Sequence, residues 1–170
     1  MDILKAATDW TKAELFSTPF FVLFGLLFVL ASFDFWQLGK TEMARAYIIP
    51  TLVAGGLLMI IGGGLFFTNK SRAASFPIAY EKDESAFVTS ELARADATIK
   101  EYRNVVFTAI PLIIIACALG IMFLKTPVWR ASLITTIAML AFILLIDGTA
   151  SARIQAYNQQ LEMAAEQKLK

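Results

Sequence analysis

The chain has no histidine and a single cysteine, so the side chains that could do chemistry are few, and they sit at the edges of apolar runs. Arg103 is the last charge before one uncharged run, and Asp147 is the first charge after another. Folding the second half of the chain back on itself puts Arg103 opposite Ala150, less than one turn from Asp147, so the two are expected to form an interfacial ion pair. The alternative places Asp147 with Thr135 or Thr136 on an ion or proton path, because an acid at membrane depth is costly and is kept for a function. A single acid near the surface is a poor relay, which favours the ion pair.

The other candidates read as structural. Cys117 is flanked by Ile115, Ala116, Ala118 and Leu119, which supply no base or cation to activate a thiol, so a buried and inert sulfur is expected. Glu91, Asp96 and Glu101 lack metal-ligand spacing and suit a solvated helix face. Tyr80, Tyr102 and Tyr157 have the composition of an aromatic belt at a membrane surface. Gly62-Gly63-Gly64 lies inside an apolar run, where it cannot cradle a phosphate. No catalytic residue, metal or cofactor is therefore expected.

The elements that carry these residues are membrane helices. The 170 residues are 58% hydrophobic and 17% charged, with a mean hydropathy of +0.65, against about 45–50% and about 25% in soluble domains. With a formal net charge of +1, no long-range field argues for nucleic acid or an acidic partner, and no nucleic acid is expected. Four uncharged runs follow one another: 19 residues between Glu14 and Asp34, 24 between Arg45 and Lys70, 21 from Asn104 to Leu124, and 16 from Ala131 to Ile146. At about 1.5 Å per residue these suit a hydrocarbon core of about 30 Å. Nothing at Met1–Lys5 reads as a cleaved signal or a lipidation site.

Residues 1–14 are expected to form a short interfacial helix anchored by Trp10, and 15–72 the first two spans, with Thr18-Pro19 marking where the first begins. The second span carries Gly55-Gly56 and Gly62-Gly63-Gly64, so Gly55 with Gly62, and Gly56 with Gly63, recur seven apart along one face. Glycine costs about 1 kcal/mol against alanine in a helix, and close approach of a neighbouring helix is the usual compensation in lipid. Ala116 and Gly120 make a smaller pair of the same kind in the third span. Pro77 is expected to end the helix before it, and Pro111 to kink the third span near Phe107.

Residues 83–170 read as one long helical hairpin turned at Leu124–Val128, with arms of 42 residues on either side. Val88, Leu92, Ala95 and Ile99 alternate four and three apart in the first arm, which is a coiled-coil seam. Ile154, Tyr157, Leu161, Ala164 and Lys168 answer it in the second, so that Leu92 meets Leu161 and Ile99 meets Ile154. Of the 15 lysines and arginines, all but Lys40, Arg45, Lys125 and Arg130 fall in the segments that share one side of a four-span chain. That side is the cytoplasm, and both termini belong to it.

The expected fold is an all-α integral membrane protein with four spans, the last two extended into a cytoplasmic antiparallel stalk. The expected setting is a bacterial inner membrane. The expected role is a non-catalytic, self-associating scaffold or an interaction or regulatory subunit, of the immunity type for example, meeting a cytoplasmic or membrane protein through the stalk. The alternative is a subunit of a small oligomeric channel or transporter whose pore the glycine-rich second span lines.

Overall fold

A computed structural model describes residues 2–168, with side chains as far as Glu166, and among these residues every element is helical. The helices are α1 (Ile3–Leu38), α2 (Glu42–Ala46), α3 (Ile48–Lys82), α4 (Glu84–Glu101), α5 (Ile110–Phe123) and α6 (Pro127–Lys168), with a π-helical segment at Tyr102–Ala109 between α4 and α5. They form four rods, each long and apolar enough to cross a membrane. The side chains the rods turn outward there are Phe, Leu and Ile, with Phe16, Ile60, Phe67 and Phe123 more than 70% exposed. A hydrocarbon solvent suits that exterior and water does not.

Each reversal has a local cause. Asp83 alone separates α3 from α4, and its carboxylate caps α4 by accepting the Ala86 N–H at 2.9 Å. Thr41 caps α2 in the same way, accepting from Ala44 at 3.1 Å. Pro127 opens α6, where its missing N–H costs nothing, after the turn at residues 124–126. Pro50 lies in the first turn of α3, as expected.

Two prolines do not break the helices they were expected to bound. The separate interfacial helix expected over residues 1–14 is not found: from Ile3 onward these residues are the first turns of α1, which runs unbroken past Pro19 to Leu38. Pro19 denies the Leu15 carbonyl its usual donor, and the Thr18 hydroxyl approaches that carbonyl at 3.4 Å, a long contact that serves it in part. Ile3, Ala7 and Trp10 are meanwhile buried against other helices, which holds the extension in place. Likewise α3 passes Pro77 and ends at Lys82. Phe76 packs edge-on to Phe87 at 5.4 Å and Tyr80 does so at 5.7 Å, so tertiary contact retains the turns that proline weakens. The distortion expected from Pro111 near Phe107 takes the form of the π segment, which contains Phe107: the Ile110 N–H reaches back five residues to Val105, and the Thr108 hydroxyl donates to Arg103 O at 2.8 Å. Widening the turn relieves the clash between the proline ring and the carbonyl four residues before it.

The largest core lies at the polar ends of the rods. Val88, Ala95, Ile154 and Leu161 belong to it, with Leu92 and Ile99 partly buried beside them, so the seam residues do share a core. They are not a two-stranded coil, because Ile3, Ala7 and Trp10 from α1 and Phe76 from α3 enter the same core. Four helix ends therefore share it. The seam's last position, Lys168, lies outside the described side chains, as does Lys170 of the charge count.

Midway along the rods, α1 and α3 approach so closely that glycine is required on both. A Cβ on Gly25 would stand 2.8 Å from Gly55 O, one on Gly55 would stand 2.6 Å from Gly25 O, and one on Gly62 would meet Phe21 Cβ at 2.8 Å. Gly25 has no partner in the sequence pattern and was not anticipated. A second core of Phe21, Leu58 and Ile146, with Phe24 stacked on Phe142 at 4.0 Å, ties this pair to α6.

Candidate functional site

Where the polar bundle meets the apolar spans, a cavity of about 320 Å³ opens. Helix α1 contributes Trp10 and Glu14, one turn apart on one face, and α3 contributes Leu65, Asn69 and Arg72 at similar spacing. Arg94 and Glu101 come from α4, Tyr102, Val105 and Val106 from the π segment, and Asp147 from α6. Asn69, Arg72 and Asp147 stand at the ends of uncharged runs, and Glu14 immediately before one, so the cavity lies where the charged and uncharged stretches of the rods meet.

Trp10 is its organising side chain. One face of the indole stacks on Tyr157, with ring centroids 5.4 Å apart and planes 10° apart. The Arg94 guanidinium lies 4.5 Å from the ring centroid and that of Arg72 6.0 Å, both within cation–π range. The indole Nε1 is buried without a hydrogen-bond partner. Glu91, itself buried, holds Arg94 through two bonds of 2.9 and 2.6 Å and accepts the Tyr157 hydroxyl at 3.2 Å. Burial, together with the Glu91 charge, pushes the Tyr157 hydroxyl well above its ordinary range.

A second network closes the α1–α6 side. Arg153 donates to Glu14 at 3.0 Å and to the Ser17 hydroxyl at 2.8 Å, and Ser17 in turn donates to Glu14 O at 3.1 Å. Three lining charges are left without an ion pair among the described residues: Arg72, Asp147 and the exposed Glu101. Arg72 donates to Asn69 Oδ1 at 3.1 Å and has no carboxylate partner; burial, and then the like charge of Arg94, lower its affinity for its proton. Asp147 is half-buried and has no ion pair or hydrogen bond among the described residues.

The Arg103–Asp147 ion pair does not form. Arg103 is exposed and unpaired among the described residues, and its neighbour Tyr102, at the start of the π segment, lines the cavity instead. Thr135 is buried with an unbonded hydroxyl and, with Thr136, lines a separate mostly apolar cavity of about 270 Å³. Cys117 is buried. Asp96 accepts from Asn158 at 3.1 Å, and Asp34 is exposed. The glycine pairs divide: Gly55 and Gly62 face α1, whereas Gly56, Gly63 and Gly64 have nothing within 4 Å of where a Cβ would stand. A Cβ on Gly120 would stand 3.0 Å from Leu133 Cδ1, and Ala116 is exposed.

Glu14, Arg72 and Arg153 escaped the sequence reading because their neighbours come from other rods. The signal for Glu14 was present in the spacing of Trp10, Glu14 and Ser17, which share one helix face. No family model, curated protein or solved structure matches the chain.

Proposed function

We propose that the chain is a non-catalytic integral protein of a bacterial inner membrane, with both termini cytoplasmic, that self-associates and presents its polar bundle to a protein partner as a scaffold or regulatory subunit. The observation that carries this reading is the core shared by the polar ends of α1, α3, α4 and α6. Extending four spans into one folded body outside the bilayer provides a rigid surface directly coupled to the spans. The excess of lysine and arginine in those same segments supports the cytoplasmic side. Self-association is supported by the outer glycines, Gly56, Gly63 and Gly64, which no helix of the same chain covers.

Native mass spectrometry of the protein in nanodiscs tests this. Wild type is expected as more than one copy and Gly63→Leu as a folded monomer, since a Cβ at position 63 would meet no described atom of its own chain within 4 Å. A wild-type monomer at membrane-like density would remove the self-association. The channel reading draws on the same uncovered glycine face, and solute flux in vesicles that Gly63→Leu alters would select it.

A further inference from the structure

Among the described residues, the polar cavity has one cation without an ion-pair partner, Arg72, and two anions without a partner, Asp147 and Glu101, of which Asp147 is the half-buried one. Arg72 has no carboxylate, and Arg94, which shares the Trp10 ring with it, already spends its charge on Glu91. Asn69, only 3% exposed, accepts from Arg72 while its amide N–H groups donate to no protein atom. This corner therefore offers a guanidinium and a buried amide donor, a combination suited to phosphate oxygens. On the α6 wall, Asp147 has no partner, and Glu14 is committed to Arg153. That wall is suited to an ammonium group. Charges left unpaired in a half-buried cavity are costly unless something neutralises them.

The surroundings say how a ligand would reach them. Helix α3 packs on α1 and α6, and α5 packs on α6, but α3 and α5 make no extended contact, so the rods part on that side. Leu65 and Val105, 39% and 51% exposed, flank the opening and continue the cavity wall into the apolar exterior. With the charges at the ends of the uncharged runs, a bilayer around the apolar halves of the rods would put the cavity at headgroup depth.

We infer that this cavity binds a zwitterionic head carrying a phosphate and a primary ammonium, with the phosphate at Arg72 and Asn69 and the ammonium at Asp147. A phospholipid delivers that head through the opening, its acyl chains lying along Leu65 and Val105 between α3 and α5. The inference rests on the spans being in a bilayer.

The test counts lipids retained by the detergent-purified protein in native mass spectrometry, after addition of dioleoyl-phosphatidylethanolamine, dioleoyl-phosphatidylglycerol or water-soluble glycerophosphoethanolamine. Wild type is expected to retain the ethanolamine lipid about tenfold better than the glycerol lipid, which has the phosphate without the amine, in line with one charge-assisted hydrogen bond. Arg72→Gln is expected to lose about tenfold on both lipids while Arg72→Lys keeps most of the binding. Asp147→Asn is expected to lose the preference for ethanolamine. Lys70→Gln, an exposed cation two residues away, is the control and changes nothing. Neither Arg72 nor Asp147 makes an ion pair within the protein, so their replacement removes none that the fold uses.

Equal retention by Arg72→Gln and Lys70→Gln, or a wild type indifferent to the amine, overturns the site. Binding of glycerophosphoethanolamine as tight as that of the lipid keeps the head chemistry and overturns the lipid as its source. Resistance of the protein to alkaline extraction from vesicles separately reports whether it is in the bilayer.

Discussion

Glu14 and Arg153, 139 positions apart in the chain, stand 3.0 Å from each other and join the first rod to the last at the border of the polar bundle. The Glu14 side chain is 11% exposed and that of Arg153 28%, so water does little to replace either partner. Arg153→Leu leaves the buried carboxylate without its cation, and it is expected to destabilise the protein by about 1.5–3 kcal/mol. Glu14→Gln with Arg153→Gln should recover part of that loss, because no lone charge remains. Denaturant or thermal unfolding in detergent, followed by helical circular dichroism, checks both.

Gly62 and Gly63 are neighbours with opposite surroundings. A methyl group at Gly62 would stand 2.8 Å from Phe21 Cβ and 2.9 Å from Val22 Cγ2, and one at Gly63 would meet nothing within 4 Å. Gly62→Ala is expected to destabilise by about 1–3 kcal/mol through overpacking, and Gly63→Ala to match or exceed wild type by up to about 1 kcal/mol through helix propensity. The same unfolding measurement reads both, and equal effects would mean that α1 and α3 do not approach as described.

Tyr157 makes the bundle sensitive to alkali. Its folded-state proton affinity is raised, first by burial and then by Glu91, so the unfolded chain releases that proton at lower pH than the folded one. Above the ordinary tyrosine range near pH 10 the unfolded state therefore binds fewer protons, and stability falls as pH rises. Tyr157→Phe is expected to be less stable than wild type at neutral pH, having lost the 3.2 Å bond to Glu91, but to show a flatter decline between about pH 9 and about pH 11. A parallel decline in the two proteins would assign the sensitivity to other groups.

How much of this was legible depended on how far each signal travels. Uncharged runs are local, so the four rods and the turns at residues 39–41 and 124–126 followed from sequence, whereas the reversal expected at Pro77 falls at Asp83. The seam at Val88, Ala95, Ile154 and Leu161 was legible because a heptad reports burial. It does not report how many helices do the burying, so Ile3, Trp10 and Phe76 went uncounted. Pro19 and Pro77 misled because a proline's local penalty of about 3 kcal/mol is smaller than what an aromatic cluster or a shared core returns. Of the cavity, only Asp147 was anticipated as functional. Its proposed partner Arg103 was wrong because a π turn changes which residue faces inward, and a linear count of 3.6 residues per turn has no means of registering it.

The π segment also divides the labour among the rods. Helices α1, α3 and α6 cross from the polar core to the apolar half without interruption, over 36, 35 and 42 residues. At about 1.5 Å per residue they behave as stiff shafts. The fourth path changes hydrogen-bond register halfway, from Tyr102 to Ala109, at the cavity wall. An axial screw motion of α5 against α4 costs less there than anywhere on the three continuous helices, because a π turn can migrate along a helix by exchanging one set of backbone bonds for the next. Of all the side chains on the cavity, those of Tyr102, Val105 and Val106 would swing through the largest arc in such a motion.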